Sequence, residues 1–328
     1  MLRDHPLTRR AAMAGLVGAA ASPAGAEEPY PNRPVTVVVP WAAGGTTDIL
    51  ARMLAEPLRR ATGQPFVVEN RSGASGNIGS GAVARARPDG YTLLFGSMST
   101  HAMNNALFNN MPFDGVEDFS AVALLGFALN TMVIHPAVPA QTLAEFIAHV
   151  KANPGRLAYA SAGPGSTNHL CAEMFLRAAG LEMVHVPYRG GAPAVQDTVA
   201  GQTQLFFSAA TQTLPHVRAG RLRLLAVTEA KRSRLLPDTP TVAEVLPGYE
   251  MTVWYGAFGP KGMPPALVGQ LNGEINRAMA LPEVRDRLAA IGVEVEAESP
   301  QAFAARLAAD RATWARTIRE LGIAMTDA

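Results

Sequence analysis

From residue 34 onward, short runs of β-branched apolar residues alternate with longer stretches in which apolar positions recur every three or four residues. Residues 35–39 read Val-Thr-Val-Val-Val and predict a strand covered on both faces, because a half-exposed strand would alternate more evenly. Thr46-Thr47-Asp48 then starts a helix whose apolar face is Ile49, Leu50, Met53, Leu54 and Leu58, and Gly63 closes it. A second strand begins at 66–68, Ser75-Gly76-Asn77 opens a second helix, Pro88-Asp89-Gly90 is a turn, and 91–95 is a third strand. This βαβαβ order predicts an α/β fold with a parallel, doubly wound sheet.

A second series of the same plan follows. Strands are expected at 133–134, 157–160, 184–186, 205–207 and 222–227, with helices at 167–179 and 192–200 and another opened by Thr142 and Glu145 at capping-box spacing. Residues 231–247, rich in proline and charge, predict an irregular connection. The remaining chain is expected to be helical over 267–279, from Pro282, and over 303–321, with a small strand at 293–295.

Residues 1–26 interrupt this picture. Arg3, Arg9 and Arg10 precede an apolar run of small residues from 11 to 21, and Ala24-Gly25-Ala26 supplies a small-x-small cleavage pattern. The run is too short to span a bilayer, so the segment predicts a cleaved export signal and a mature protein in an oxidising compartment. Thr8-Arg9-Arg10 is compatible with the twin-arginine route as well as the general one. Of the 328 residues, 28 are Lys or Arg and 27 are Asp or Glu, and removing the signal leaves 25 against 26. So even a balance offers no cationic face for nucleic acid. Cys171, the only cysteine, can form neither an internal disulfide nor a structural zinc cluster.

The candidate chemistry lies in loops between strands and helices. The first contains Trp41, Ala42, Gly44, Gly45, Thr47 and Asp48; a second contains Ser75 and Asn77; a third contains Ser97. In the second series, Ser161, Gly163, Ser166 and Thr167 form one such loop with His169 just beyond, and Tyr188, Gly190 and Gly191 form another. Loops at the carboxyl ends of strands in an open α/β sheet are where ligands bind. Helix starts there present unpaired N–H groups and partial positive charge, and glycine lets the backbone approach closely. The pattern therefore predicts an anion site that needs no Lys or Arg. Asp48 is expected to be an N-cap that holds the Gly44-Gly45 loop, with a general base as the alternative. His169 is a candidate ligand contact with a structural role as the favoured alternative, and Cys171 is expected to be a buried small apolar residue. No Walker phosphate loop, nucleophile elbow or His-Glu-x-x-His pair occurs, and no cofactor or metal is expected.

Ordered motifs along the chain add to this reading. They include Pro31-Asn32-Arg33-Pro34, Pro40-Trp41-Ala42-Ala43-Gly44-Gly45 with Asp48, Val68-Glu69-Asn70-Arg71, and Gly76-Asn77-Ile78-Gly79. Further along stand Pro88-Asp89-Gly90-Tyr91, Tyr159-Ala160-Ser161-Ala162-Gly163, Val186-Pro187-Tyr188 with Gly190 and Pro193, Leu225-Ala226-Val227-Thr228, and Pro240-Thr241-Val242-Ala243-Glu244. The set resembles the tripartite tricarboxylate transporter receptors, nicknamed Bug receptors, over essentially all of the chain beyond the signal.

The resemblance implies a two-lobed periplasmic-binding-protein type II fold with the ligand cleft between lobes. One lobe would hold residues 30–128 plus 250–328 and the other 129–249. It implies capture of a small organic carboxylate by a monomer, with delivery to membrane permease subunits. An enzyme on the same framework and a receptor for a sensor kinase are the rival readings. Many such receptors carry aspartate where this chain has Ser208. If that strand end faces the cleft, Ser208 leaves a ligand amine without a partner.

Overall fold

The computed structural model describes residues 29–320 together with Met1 and Gly322, so the export signal expected over 1–26 lies, Met1 apart, outside the described residues. Among the described residues, eleven strands fall into two sheets. The first contains β1 (Val35–Val39), β2 (Phe66–Asn70), β3 (Thr92–Ser97), β4 (Phe119–Ala128), β10 (Val253–Pro260) and β11 (Val293–Glu294), in the order β11-β4-β10-β3-β1-β2. The second contains β5 (Asn130–Ile134), β6 (Ala158–Ser161), β7 (Val184–Pro187), β8 (Leu205–Ala209) and β9 (Arg223–Val227), in the order β7-β6-β8-β5-β9.

Helices cover the sheets. Those used below are α1 (Thr46–Thr62), α2 (Asn77–Ala84), a short α3 (Asn104–Leu107), α4 (Leu143–Ala152), α5 (Thr167–Ala179), α6 (Gly191–Val199) and α7 (Ala210–Arg218). The last third adds α8 (Pro265–Ala280), α9 (Pro282–Ala290) and α10 (Pro300–Glu320). The four valines of β1 are at most 2% exposed, as a strand covered on both faces requires. Among the described residues no helix is long and apolar enough to cross a membrane.

Set side by side, β2-β1-β3-β10-β4 and β7-β6-β8-β5-β9 are one plan used twice, giving two α/β lobes. In each, a parallel trio is followed by one antiparallel strand, β10 in the first lobe and β5 in the second. That strand is the first one laid down after the chain passes between sheets: from β4 into β5, and later from β9 into β10. The parallel pairing expected for β1, β2 and β3 is observed, and the antiparallel β10 makes the whole sheet mixed.

Besides the short α3, the elements β4, β10 and α7 escaped the sequence pattern, each for a physical reason. Strand β4 (FSAVALLGFA) is buried along most of its length and so carries no clean two-residue alternation. Strand β10 (VWYGAFGP) contains two glycines and a proline, which read as a loop, yet all eight residues are buried. A Cβ at Gly256 would overlap the Phe303 ring of α10, so this glycine lets the helix sit directly on the strand. Helix α7 starts in the residue after β8 with no turn signal between them. The C-terminal helix is fixed by Phe303, Leu307 and Ile318 in the core and by Trp254 Nε1, which donates to Asp310 Oδ2 at 2.7 Å.

Candidate functional site

The loop from β1 to α1 ends in a helix start without a side-chain cap. Gly45 occupies the cap position, and the first backbone bond runs from Ile49 N–H to Gly45 O at 2.9 Å. The N–H groups ahead of Ile49 are therefore left to partners outside the helix. Asp48 is not the N-cap that the sequence predicts but the third residue of the helix, because Thr46 and Thr47 already have helical backbone. Its carboxylate nevertheless reaches back to the loop: Oδ2 accepts from Gly44 N–H at 2.9 Å and from Arg52 Nε at 3.0 Å. Burial alone would raise the Asp48 pKa, but the hydrogen bonds from Arg52 and Gly44 outweigh it and hold the group below its ordinary 3.8.

The loop from β6 to α5 is built differently. Ser166 caps α5: its Oγ accepts from His169 N–H at 3.3 Å and donates to Gly163 O at 2.7 Å. Gly165 N–H donates to His169 Nδ1 at 3.2 Å, which requires the lone pair of a neutral imidazole. His169 stacks on His185 with ring centres 4.3 Å apart, and His185 stacks on Tyr159 at 4.8 Å. Ser161 Oγ accepts from Gly163 N–H at 3.1 Å and lies 2.7 Å from His185 Nε2. Burial lowers both histidines to about 4, and the neighbouring His169 adds to the shift at His185.

Two more helices of this lobe begin at the same place. Helix α6 starts at Gly191 and α7 at Ala210, neither with a side-chain cap. The lobes touch here. Gln212 Nε2 donates to Thr46 Oγ1 at 3.0 Å, and Thr46 and Thr211 hydroxyls are 2.7 Å apart. A Cβ on Gly190, at φ 146°, would lie 3.0 Å from Ala42 Cβ and 3.1 Å from Ala42 N. Only glycine permits that approach.

Between these helix starts lies a cavity of about 40 Å³. Its wall includes Gly45, Thr46 and Thr47 from the α1 start, Ser166, Thr167 and Asn168 from α5, Gly191 from α6 and Gln212 from α7. Trp41, Ser97, Ser99, Ala162 and Tyr255 complete it, and no residue of the wall is charged. Burial pushes the Tyr255 phenol up to about 12, so it stays a neutral donor at ordinary pH. A cavity of this size holds about three waters, at roughly 10–15 Å³ each, or one carboxylate group. A second chamber of about 280 Å³ adjoins it, sharing Trp41 and Ala162 and adding Ser75, Phe108, Gly163, Pro164, Tyr188 and Arg189 among others.

The structure sorts the sequence candidates into layers. Trp41, Gly45, Thr47, Ser97, Ser166, Thr167 and Gly191 line the inner cavity, while Ser75, Gly163 and Tyr188 line the outer chamber. Gly44, Asp48, Ser161 and His169 sit behind the loops and support them, and Ala42 and Gly190 meet across the cleft. Asn77 is buried away from both spaces, accepting from Asn104 Nδ2 at 2.6 Å. Ser208 is wholly buried and accepts from Gln212 Nε2 at 3.2 Å, so Gln212 stands between it and the cavity. Reading Ser208 as a cleft-facing position is thereby corrected.

Sequence reasoning missed Gln212 and Tyr255. Gln212 follows a strand with no loop to mark it, and Tyr255 arrives from β10, which carried no strand signature. Thr46, Ser99, Ala162 and Asn168 lay inside the loops already singled out. Elsewhere, Cys171 is buried, and burial pushes its thiol to about 12, away from any nucleophilic thiolate. Among the described residues no group of three His, Cys, Asp or Glu side chains could hold a metal ion.

Two mixed α/β lobes of like topology, joined by two crossings and closed over a helix-rimmed cavity, define a type II solute-binding protein. The chain belongs to the tripartite tricarboxylate transporter family of receptors, whose sequence model matches residues 50–323. It is 36% identical to the protein BugT of Bordetella pertussis over 320 residues, 96% of this chain and 98% of BugT. Among solved structures, R. palustris Rpa4515 with adipate superposes at a TM-score of 0.87 with 37% identity, covering 90% of this chain and 99% of that one. The periplasmic binding protein BugD gives 0.86 and 35%, with the same coverages. MatC from Rhodopseudomonas palustris with bound malate gives 0.84 and 33%, covering 88% and 100%.

Proposed function

We propose that this protein captures a small organic carboxylate between its lobes in the periplasm and presents it to membrane permease subunits, without transforming it. One observation carries the reading: four helix starts converge on a small cavity that has no charged residue in its wall. A carboxylate taken from water needs several donors to replace its hydration. Unpaired backbone N–H groups at helix starts supply them together with the favourable end of each helix dipole, and such charge-assisted hydrogen bonds are the stronger kind. The adipate and malate found with two relatives support this ligand class.

In this reading residues 30–128 plus 250–328 form one lobe and 129–249 the other, the segment 1–26 is removed on export, and the mature receptor is a monomer. The inner cavity takes a carboxylate through Gly45, Thr47, Thr167 and their neighbours. Affinity then reports contacts of the closed state minus the cost of closing.

Screening a library of mono-, di- and tricarboxylates by thermal shift, followed by calorimetry on the hits, tests the proposal. Ligand selects the native state by mass action, so a binding carboxylate raises the melting temperature. If no carboxylate raises it, while neutral or cationic solutes screened alongside do, the reading is overturned. Recovery of chemically altered ligand after incubation would favour the enzyme instead.

A further inference from the structure

The two crossings between the lobes start and end side by side. The first is the single residue Leu129 between β4 and β5, and the second is residues 228–252 between β9 and β10. Leu129 N–H donates to Gly292 O of the first lobe at 2.8 Å, and its carbonyl accepts from Ala210 N–H, where α7 starts, at 2.7 Å. The hinge is thereby joined to the helix that carries Gln212 into the inner cavity wall. Thr228 N–H donates to Asn130 O at 2.9 Å, and Asn130 Nδ2 donates to Thr228 Oγ1 at 3.0 Å. Glu229 adds a further tie between the crossings, its Oε1 accepting from Asn130 N–H at 2.8 Å. Its Oε2 is sealed from solvent and has no hydrogen-bond partner.

The groups around Glu229 do not balance a charge there. Glu294 of β11 approaches as a second carboxylate. Lys231, Arg232 and Arg234 of the same connection are exposed; among the described residues none pairs with Glu229, and Arg232 is tied to Glu244. From the side of α5 come the Cys171 thiol and the Tyr249 phenol, both kept neutral by burial. Burial first, and Glu294 after it, push the Glu229 carboxyl up to about 7 against the opposing hydrogen bond from Asn130. A cavity of about 360 Å³, walled by Phe127, Leu129, Glu229, Thr252 and Glu294 among others, borders the hinge. A small displacement of the crossings therefore brings water to the acid.

We infer that Glu229 is a proton site built into the hinge: the closed lobes hold it as the neutral acid, an open hinge lets it ionise in water, and capture of a ligand takes up a proton. This rests on capture by closure, as proposed above, and adds the proton as a second, linked ligand. A proton held more tightly by the closed form favours closure at low pH, and that effect is lost as pH rises through the closed-state pKa. A group at an ordinary 4.5 when open and about 7 when closed lowers ligand affinity about tenfold from pH 6 to 8.

Calorimetry with adipate and with malate at pH 6, 7 and 8 tests the inference. On the wild type, affinity for whichever acid binds should fall about tenfold across this range. Runs at pH 7 in phosphate and in Tris, whose ionisation enthalpies differ, should report uptake of about half a proton per ligand. Glu229→Gln keeps an acceptor for Asn130 and cannot ionise. It should take up no proton, bind equally at pH 6 and 8, and exceed the wild type about tenfold at pH 8. Glu294→Gln removes the neighbouring charge and should move the midpoint of the wild-type profile to lower pH. Equal pH profiles in wild type and Glu229→Gln, or affinity that rises with pH, refute the proton site and leave capture standing. Should neither acid bind, the carboxylate reading loses its support, and urea midpoints of the ligand-free chain from pH 7 to 4.5 decide the proton site. There Glu229→Gln should steepen the acid decline, and an unchanged decline refutes the site.

Discussion

The two lobes present helix starts to the same cavity but hold them by opposite means. In the first lobe an ionised carboxylate, Asp48, ties Gly44 from inside the helix, backed by the charge of Arg52. In the second, neutral groups do the work: the Ser166 hydroxyl caps α5, and His169 accepts from Gly165 only while its imidazole is uncharged. Both solutions keep charged side chains out of the inner cavity wall, so the wall can offer donors alone. The difference lies in how each side responds to protons and to substitution.

The largest expected effect comes from filling the wall where both lobes meet the ligand. Gly45→Val adds a branched side chain at the α1 start, where a Cβ already lies 3.3 Å from Ala42 O. Carboxylate affinity should fall at least about a hundredfold, roughly 2.7 kcal/mol, while the circular-dichroism spectrum stays native. Unchanged affinity would mean that the α1 start does not contact the ligand.

Acid separates the two loops next. Both imidazoles sit near 4 in the folded chain against an ordinary 6.5. Between those values the unfolded chain binds protons that the folded one refuses, so stability falls as pH is lowered from 6.5 to 4. His169 alone gives a slope approaching about 1.4 kcal/mol per pH unit, and the more exposed His185 adds less. Asp48 behaves otherwise: its folded pKa is below 3.8, so its contribution persists through this window and is lost only at lower pH. Urea midpoints measured from pH 7 to 4 should therefore decline, buried His101 adding to the fall and Glu229, pushed up to about 7 by burial, opposing it, and His169→Gln, which retains an acceptor for Gly165, should lessen the decline. A profile that is flat in the wild type would contradict the neutral-imidazole account.

How much of this was legible in the sequence differs between the lobes too. Local signals were enough for the β1–α1 and β6–α5 loops, because glycine, hydroxyl and helix-starting residues stand together along the chain. Asp48 was legible as the residue that holds its loop, while its position inside the helix was not, since capping from the cap position and from the third helical residue share one composition. Gln212, Tyr255 and the burial of Ser208 depend on which strands become neighbours. Tyr255 reaches the cavity only because β10 pairs with β3, and no local pattern encodes a partner about 160 residues away.

Smaller effects sharpen the contrast. Asp48→Ala should cost about 1–2 kcal/mol, the value of a charge-assisted hydrogen bond reduced by the half-exposed Arg52. Asp48→Asn, which keeps an acceptor for Gly44, should cost less than half of that. Equal losses in the two variants, measured by denaturant titration at pH 7, would assign the effect to charge alone. Smallest of all is the discrimination between ligands: succinate should bind about tenfold more tightly than aspartate, or 1.4 kcal/mol. The reason is the wall itself, which offers an ammonium no carboxylate in either space. Tighter binding of aspartate would reveal a partner for the amine.

The placement of β10 also governs how the molecule comes into being. It lies between β3 and β4, yet it is synthesised only after the whole second sheet. Until residue 260 is available, the first sheet is two fragments with unpaired edges on β3 and β4, the kind of edge that invites pairing with other chains. The second sheet is drawn from one continuous stretch and has every strand at hand once β9 emerges. Maturation should thus run from the middle of the chain outward, with long-range pairing of β10 as its slow step. During that interval the half-built first lobe is the part of the nascent protein most exposed to aggregation.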